Sequence, residues 1–386
     1  MTDPAPARPL RLGFPVKVMG VPGMKTNDTR RWQKEPHLKC SLELLDKTLD
    51  YLRKKRIDMY RMSSDIAPYA THPDMPQFHR MVEESDAELK AFGAKARAQD
   101  LRLSFHPSQY VVINGPDPKL TAKSVWDLSS QAEMLDRMEL GPEAVMVIHV
   151  GGVYDDRELS RERWVRTWET LPEHVQRRMV LENDDIRFDA YDVLWIHERT
   201  GVKCVFDYQH HWCLNLHGLD MTETLRRFLK TWPERVRPKL HFSSPRTELR
   251  EVVRQVKPAK SGAKPRTPKE GEITKAPVKE KARKKTVLLP PIWTGHADFT
   301  NPFEFARFMR DAKHPDGADL EFDVMLEGKA KDISLLKLRP DLLRYAPDVA
   351  ARFGVFPAEA AALEADEAGL EADHDPENDA DVDEAA

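Results

Sequence analysis

The sequence predicts an α/β fold, a closed (β/α)8 TIM barrel, from three observations. Strand-like apolar runs recur, amphipathic segments separate them, and metal-binding side chain types stand where the runs end. Eight such runs cover residues 10–16, 58–62, 101–105, 144–149, 179–182, 203–207, 239–242 and 322–326. The first intervening stretch, 41–54, places Leu42, Leu44, Leu45, Leu49 and Leu52 along one helical stripe. Residues 81–99, 123–138, 161–171, 222–230 and 303–310 read the same way. Strands alternating with helices imply a parallel sheet, and eight units suit closure into a barrel. An open doubly wound sheet is the rival, but no Gly-rich phosphate-binding turn follows the first run.

The chain has 386 residues, 40% of them hydrophobic and 32% charged, which is ample for a packed core under a solvated surface. No stretch approaches the ~20 apolar residues of a membrane helix. The polar, Pro-rich start lacks the apolar core of a secretory signal. Cys40, Cys204 and Cys213 are too few and too odd in number for a disulfide framework, so reduced thiols and a cytoplasmic location are expected. The net charge of −4 averages two extreme segments. Residues 246–286 carry 14 basic and five acidic side chains, and from 358 onward there are 12 acidic residues with no Lys or Arg. The expected organisation is a flexible 1–9, a barrel domain over 10–345 and an extension over 346–386. Within the barrel, 246–286 reads as a basic, mobile insertion, since its Pro, Gly and Lys content cannot bury enough surface to offset ordering. The extension is acidic and expected to be disordered from 358.

Barrels of this type build their sites at the C-terminal ends of the strands. His72 follows the second run, SFHPSQY supplies His106, VIHVGG supplies His149 and VLENDD supplies Glu182. FDYQHHW gives Asp207, His210 and His211; KLHFSS gives Lys239 and His241; TGHAD gives His296 and MLEGK gives Glu327. Singly, a strand-end His is more often a structural hydrogen-bonding residue, and a strand-end Glu as often caps the next helix. Gathered at one mouth, these groups would desolvate and repel unless cations held them. The donors exceed the three or four of one site, so two or three divalent metals are expected. Mixed imidazole and carboxylate donors suit manganese or zinc better than magnesium and leave the choice between those two open. Such a set suits phosphodiester hydrolysis. Lys239 shares a strand face with His241, so it is expected to be neutral, phosphate-bound or carbamylated. His211 reads as a structural residue.

Taken in order, SFHPSQYVV, VIHVGG, VLENDD, FDYQHHW, KLHFSS and MLEGK, preceded by LRLGF and YRMSS, resemble the UV-damage endonuclease family. The resemblance covers about residues 10–343 apart from the basic insertion. It implies a three-metal barrel akin to endonuclease IV that cuts double-stranded DNA 5′ to cyclobutane pyrimidine dimers, 6-4 photoproducts and some abasic sites. It also implies metal ligands at His106, His149, Glu182, Asp207, His210, His241, His296 and Glu327, with His72 matching a further position at the centre. Glu182, Lys239 and Glu327 would be the catalytic groups, and Gln109 and Tyr110 match residues that wedge into DNA at the lesion. Where the family commonly has Tyr and then Asn after the first strand, this chain has Phe14 and Val18, which keeps stacking and loses the hydroxyl and amide contacts. Arg30, Arg31, Lys329 and Lys331 are candidate phosphate contacts. The insertion is either a further DNA contact acting by counterion release or a solvated linker. A monomer associated with the nucleoid through DNA is expected. The rival functions are a generic abasic-site endonuclease, a metal-dependent sugar isomerase or epimerase, and a non-catalytic DNA-binding barrel.

Overall fold

The computed structural model describes residues 9–154, 156–256 and 283–357. Residues 1–8 of the expected flexible N-terminus, the middle of the insertion and the acidic stretch from 358 lie outside the described residues. The first seven runs form β1 (Leu12–Pro15), β2 (Met59–Arg61), β3 (Arg102–Ser104), β4 (Met146–His149), β5 (Met179–Glu182), β6 (Lys203–Val205) and β7 (Lys239–Phe242). Then come β8 (Pro245–Arg246), β9 (Arg250–Val256), β10 (Arg283–Leu289) and β11 (Ile292–His296). The eighth run is β12 (Asp323–Leu326). Two parallel sheets, β3-β2-β1-β12-β7 and β4-β5-β6, make the wall. Parallel bridges Phe105–Met146 and Asp207–His241 join them at both seams, so the eight strands close into a ring.

Helices cover the outside: α1 (Leu38–Lys54), α2 (Met81–Glu84), α3 (Asp86–Ala98), α4 (Pro118–Arg137), α5 (Arg157–Glu169) and α6 (Glu173–Arg178). The second half adds α7 (Ala190–Thr200), α8 (Tyr208–Cys213), α9 (Met221–Leu229), α10 (Pro302–Asp311), α11 (Lys331–Tyr345) and α12 (Pro347–Arg352). The leucine stripe of α1 is buried at Leu38, Leu42, Leu45, Leu49 and Leu52, while the His37 ring caps the helix by accepting from Lys39 N. Asp117 and Asn301 cap α4 and α10, each ahead of a Pro in the first turn. The helix expected over 81–99 is broken at Ser85, whose hydroxyl donates back to the Met81 carbonyl.

Two expected boundaries are corrected. The barrel does not end at 345, because α12 packs Val349 and Ala350 into the core and Leu10 N donates to the Arg352 carbonyl. The insertion over 246–286 is not wholly without structure either. Its ends pair as an antiparallel ribbon, β9 with β10, in register from Arg250 opposite Leu289 to Val256 opposite Arg283. The β-branched content of EVVRQV and KKTVLL suits this pairing.

Strand side chains alternate between faces, and that alternation builds the interior. Val145 and Val147, Val180, Val205, Trp232 and Val236 form a buried cluster of their own. Their strand neighbours Met146, Ile148, Leu181 and Cys204 belong to the larger core shared with the helices. At the N-terminal end of the ring, Arg102 and Asp323 pair at 2.9 Å with both side chains fully buried. Arg102 also donates to the carbonyls of Arg237 and Glu143. One pleat higher, Lys239 Nζ donates to Ser104 Oγ at 3.2 Å. Removing one partner of a buried ion pair strands the other charge. Asp323→Ala is therefore expected to lower unfolding free energy by about 3–5 kcal/mol in urea titration. A loss below about 1 kcal/mol would show that the pair does not hold this end of the barrel.

Phe14 falls on the opposite parity. Its register neighbours are Tyr60 and, one strand further, Leu103, both in the helix-side core. Its ring is fully buried and meets Tyr60 edge-on at 5.3 Å. The expected DNA contact at Phe14 is thus corrected to a packing role. Val18 is buried as well.

Candidate metal centre

The inward-facing positions run 102–104–106 from β3, 147–149 on β4, 180–182 on β5, 205–207 from β6, 239–241 on β7 and 325–327 from β12. Each series ends at the C-terminal mouth in a residue expected there, and the ring brings those residues together. Glu182 stands at the centre. Its Oε1 lies 2.6 Å from His241 Nδ1, and its Oε2 lies 3.1 Å from His106 Nε2 and 3.5 Å from His149 Nε2. His210 Nδ1 stands 3.8 Å from Asp207 Oδ1. Glu327 completes the ring, 3.3 Å from His241 Nδ1 and 3.7 Å from His296 Nε2. Among the described residues, three overlapping trios each bring donor atoms within 4.8 Å of one another: His106 with Glu182 and His241, Glu182 with Asp207 and His210, and Asp207 with His241 and Glu327.

Three of the imidazoles, His106, His210 and His296, are held through Nδ1 by a protein acceptor or hydroxyl, as metal-binding histidines usually are. His106 Nδ1 bonds the Pro107 carbonyl and His210 Nδ1 the Asn183 carbonyl at 2.9 Å. His296 Nδ1 lies 2.9 Å from Gln209 Oε1 and 2.6 Å from Ser243 Oγ, leaving Nε2 toward Glu327. Gln209 is itself pinned by donating to the Trp293 and Gly295 carbonyls. Asn183 fixes the Asp207 backbone from both sides.

Charge within the cluster is only partly balanced. Burial opposes ionisation of Glu182, yet His241 and His149 outweigh it and hold the carboxyl well below its usual range. Glu327 is likewise held well below, against burial, by Arg61 and His241. Burial pushes the Asp207 carboxyl up, while Asp207 and Glu182 overcome burial to raise His210. Burial brings His149 and His296 down to about 4. Asp207 Oδ2, His149 Nδ1 and His241 Nε2 are buried without a hydrogen-bond partner. Buried polar atoms are rarely left so, and three around a set of hard and borderline donors fit divalent cations.

The family model described as UV-endonuclease UvdE matches residues 28–351, most of the chain. The chain belongs to the UvdE family. Its relatives include the UV DNA damage endonuclease of Bacillus velezensis, 36% identical over 211 residues. That match takes in 54% of this chain and 65% of the relative, so the chain spans less than two thirds of that protein's length. The UV DNA damage endonuclease of Bacillus mycoides is 30% identical over 300 residues, 77% of this chain and 79% of the relative. The crystal structure of SacUVDE matches with a TM-score of 0.66 at 28% identity, covering 87% of this chain and 98% of that one.

In this UvdE chain the cluster opens into a hollow of about 470 Å³ whose lining includes Val16, Arg61, Gln109, Asp185 and Arg187. Gln109 is exposed at its rim, and Tyr110 beside it is 80% exposed. His72 is not part of the centre. It lines a second hollow, of about 490 Å³, with Arg30 and Asp127, and its Nδ1 accepts from Asp74 N. The expectation of a ligand at His72 is corrected, because its side chain lines this second hollow and not the one into which the cluster opens. Arg30 is clamped to Asp28 at 2.6 Å, Arg31 is exposed, and Lys329 is half-buried. Burial, with Arg61 nearby, brings Lys331 down to about 8. Lys239 is buried beneath the carboxylates and held well below the ordinary ammonium range by burial, then by Arg102 and Arg61.

The sequence reading missed Arg61, which ion-pairs with Glu327. It lies two residues beyond inward-facing Met59, so strand parity at YRMSS was the available signal. Gln209, Ser243 and Asn183 were also missed. They act through His296 and Asp207, and nothing in their spacing separates them from ordinary polar residues.

Proposed function

We propose that the chain is a divalent-cation-dependent DNA repair endonuclease, acting on double-stranded DNA and cutting the phosphodiester bond 5′ to UV photolesions. The observation that carries the reading is the cluster around Glu182 at the barrel mouth, in a chain of the UvdE family. Glu182, Asp207, Glu327 and the imidazoles of His106, His149, His210, His241 and His296 would hold two or three cations, manganese before zinc. Bound cations would supply Lewis-acid stabilisation of the charge developing on the attacked phosphate. The protein's own groups do the rest. Gln209 and Ser243 keep His296 turned inward, and Arg61 offsets the charge of Glu327. Lys239, whose burial disfavours the ammonium form, would serve there as a neutral, phosphate-bound or carbamylated group. Gln109 and Tyr110 would enter the helix where damaged bases leave the stack. Arg31 and Lys329 would touch flanking phosphates, with Arg30 doing so only on leaving Asp28.

The test uses end-labelled duplexes carrying one cyclobutane dimer, one abasic site or neither, incubated with Mn2+. A cut immediately 5′ to the dimer that disappears with EDTA is expected. Cleavage at the abasic site alone would reduce the protein to an abasic endonuclease. No cleavage of any duplex, with turnover of aldose or ketose sugars instead, would replace the reading altogether.

A further inference from the structure

We propose that the β9–β10 ribbon is a docking arm that grips the backbone of duplex DNA several base pairs from the metal centre. The inference rests on the endonuclease reading for its substrate but not for its geometry. The arm grows from the mouth itself. Its stem is the antiparallel pair β8–β11, which ends in His296, opposite Pro245. Beyond Ile292 the chain passes through Pro290 and Pro291, which cannot donate to a ladder, and the ribbon restarts as β9–β10. Among the described side chains, the one ion pair tying the arm to the barrel joins Arg250 to Asp298 at 2.8 Å, two residues past His296.

The arm lacks what a free-standing ribbon needs. A two-stranded ribbon is marginal in water on its own. Here Val253 is 58% and Leu288 60% exposed, so it gains little from burial against the barrel. Its register adds a penalty, because Arg254 sits directly opposite Lys285 and both are exposed. Like charges in that arrangement repel, and an anion lying across both would relieve the repulsion. The two strands of the ribbon carry five basic residues, Arg250, Arg254, Arg283, Lys284 and Lys285, against Glu251 alone, which calls for a polyanion. An acidic protein face would satisfy charge alone. Duplex DNA also satisfies position and shape, since the arm stands beside a phosphodiester-cutting site and a major groove about 12 Å wide admits a two-stranded ribbon. Seven residues at about 3.3 Å each span about 23 Å. At 3.4 Å per base pair that reaches roughly seven base pairs.

The test measures binding by fluorescence anisotropy across a salt series with the full chain and its Arg254→Ala/Lys285→Ala variant. The probes are a duplex of about 30 base pairs without a lesion and the same duplex with one dimer. Two lost phosphate contacts should lower the slope of log K against log salt by about 1.8 on both duplexes. Affinity should fall several-fold on both, while the nicking rate at saturating dimer duplex stays unchanged. An unchanged slope overturns the arm, as does a loss confined to the dimer probe. A variant that nicks more slowly at saturation also overturns it, since those residues would then act through His296. Lesion-free binding is read without any cleavage, so a slope change in a protein that never nicks would retain the arm and remove the endonuclease reading. Arg307→Ala, an 86% exposed cation on α10, serves as the control for generic charge loss and should leave the slope as it was.

Discussion

Glu182→Gln is expected to lower the nicking rate at a dimer by at least about 10³-fold while leaving the chain folded. Glu182 is the carboxylate that His106, His149 and His241 share, and the surrounding imidazoles hold it ionised despite burial. The amide keeps the shape and loses the charge. Metal-borne stabilisation of a developing phosphate charge is worth several kcal/mol, and each 1.36 kcal/mol is tenfold in rate. Loss of about 4 kcal/mol gives the stated factor. Metal content measured by inductively coupled plasma spectrometry should fall in the same variant, and its urea midpoint should fall modestly with it, because the carboxylate that His106, His149 and His241 share has lost its charge. Near-normal nicking with full metal content would mean the cluster is a structural network and the hydrolytic centre lies elsewhere.

Tyr110→Ala is expected to slow nicking at a dimer by about 10- to 100-fold without altering metal content or stability. An aromatic side chain that is 80% exposed contributes almost nothing to the core, so its presence at the rim calls for a partner. Stacking of a base on such a ring is worth about 1–3 kcal/mol, which sets the factor. Gln109→Ala should lose less, since an amide contributes hydrogen bonds that water can replace. Tyr110→Phe, which keeps the stacking face, should recover most of the rate. If Tyr110→Ala cuts a dimer-containing duplex as fast as the parent, the wedge role fails. If Tyr110→Phe is as slow as Tyr110→Ala, the hydroxyl rather than the ring is the working part.

Much of this was legible in the chain. Strand positions could be read because buried parallel strands are short apolar runs, and all eight appear where they were expected. Helices α1, α4 and α10 could be read from an apolar stripe, a capping Asp or Asn, or both. Helix α11 was not, and it holds Pro340 in its interior. Ends were harder than elements. The extension from 346 contributes Val349 and Ala350 to the core, yet two small apolar residues beside an alanine-rich, acidic stretch carry little signal.

The site divides in the same way. Residue type and position at strand ends nominated His106, His149, Glu182, Asp207, His210, His241, His296 and Glu327, because a strand's period of two puts its last inward residue at the barrel mouth. His72 met the same description and failed it, as did Phe14, which the family resemblance had nominated as a stacking residue. His72 lines a neighbouring hollow, and Phe14 sits one residue out of phase, facing Tyr60 and the helices. Closure of the ring, through the Phe105–Met146 and Asp207–His241 bridges, sets which carboxylate lies between which imidazoles. Gln209 and Ser243 became visible only then. The sequence by itself determined the order of strands, the kind of donors and the two charged segments, since these are properties of composition and periodicity along one chain. Only the tertiary structure decided that Glu182 is the shared carboxylate and that the insertion begins as a ribbon beside His296. Those facts depend on distances between residues far apart in sequence, which close only when the barrel does.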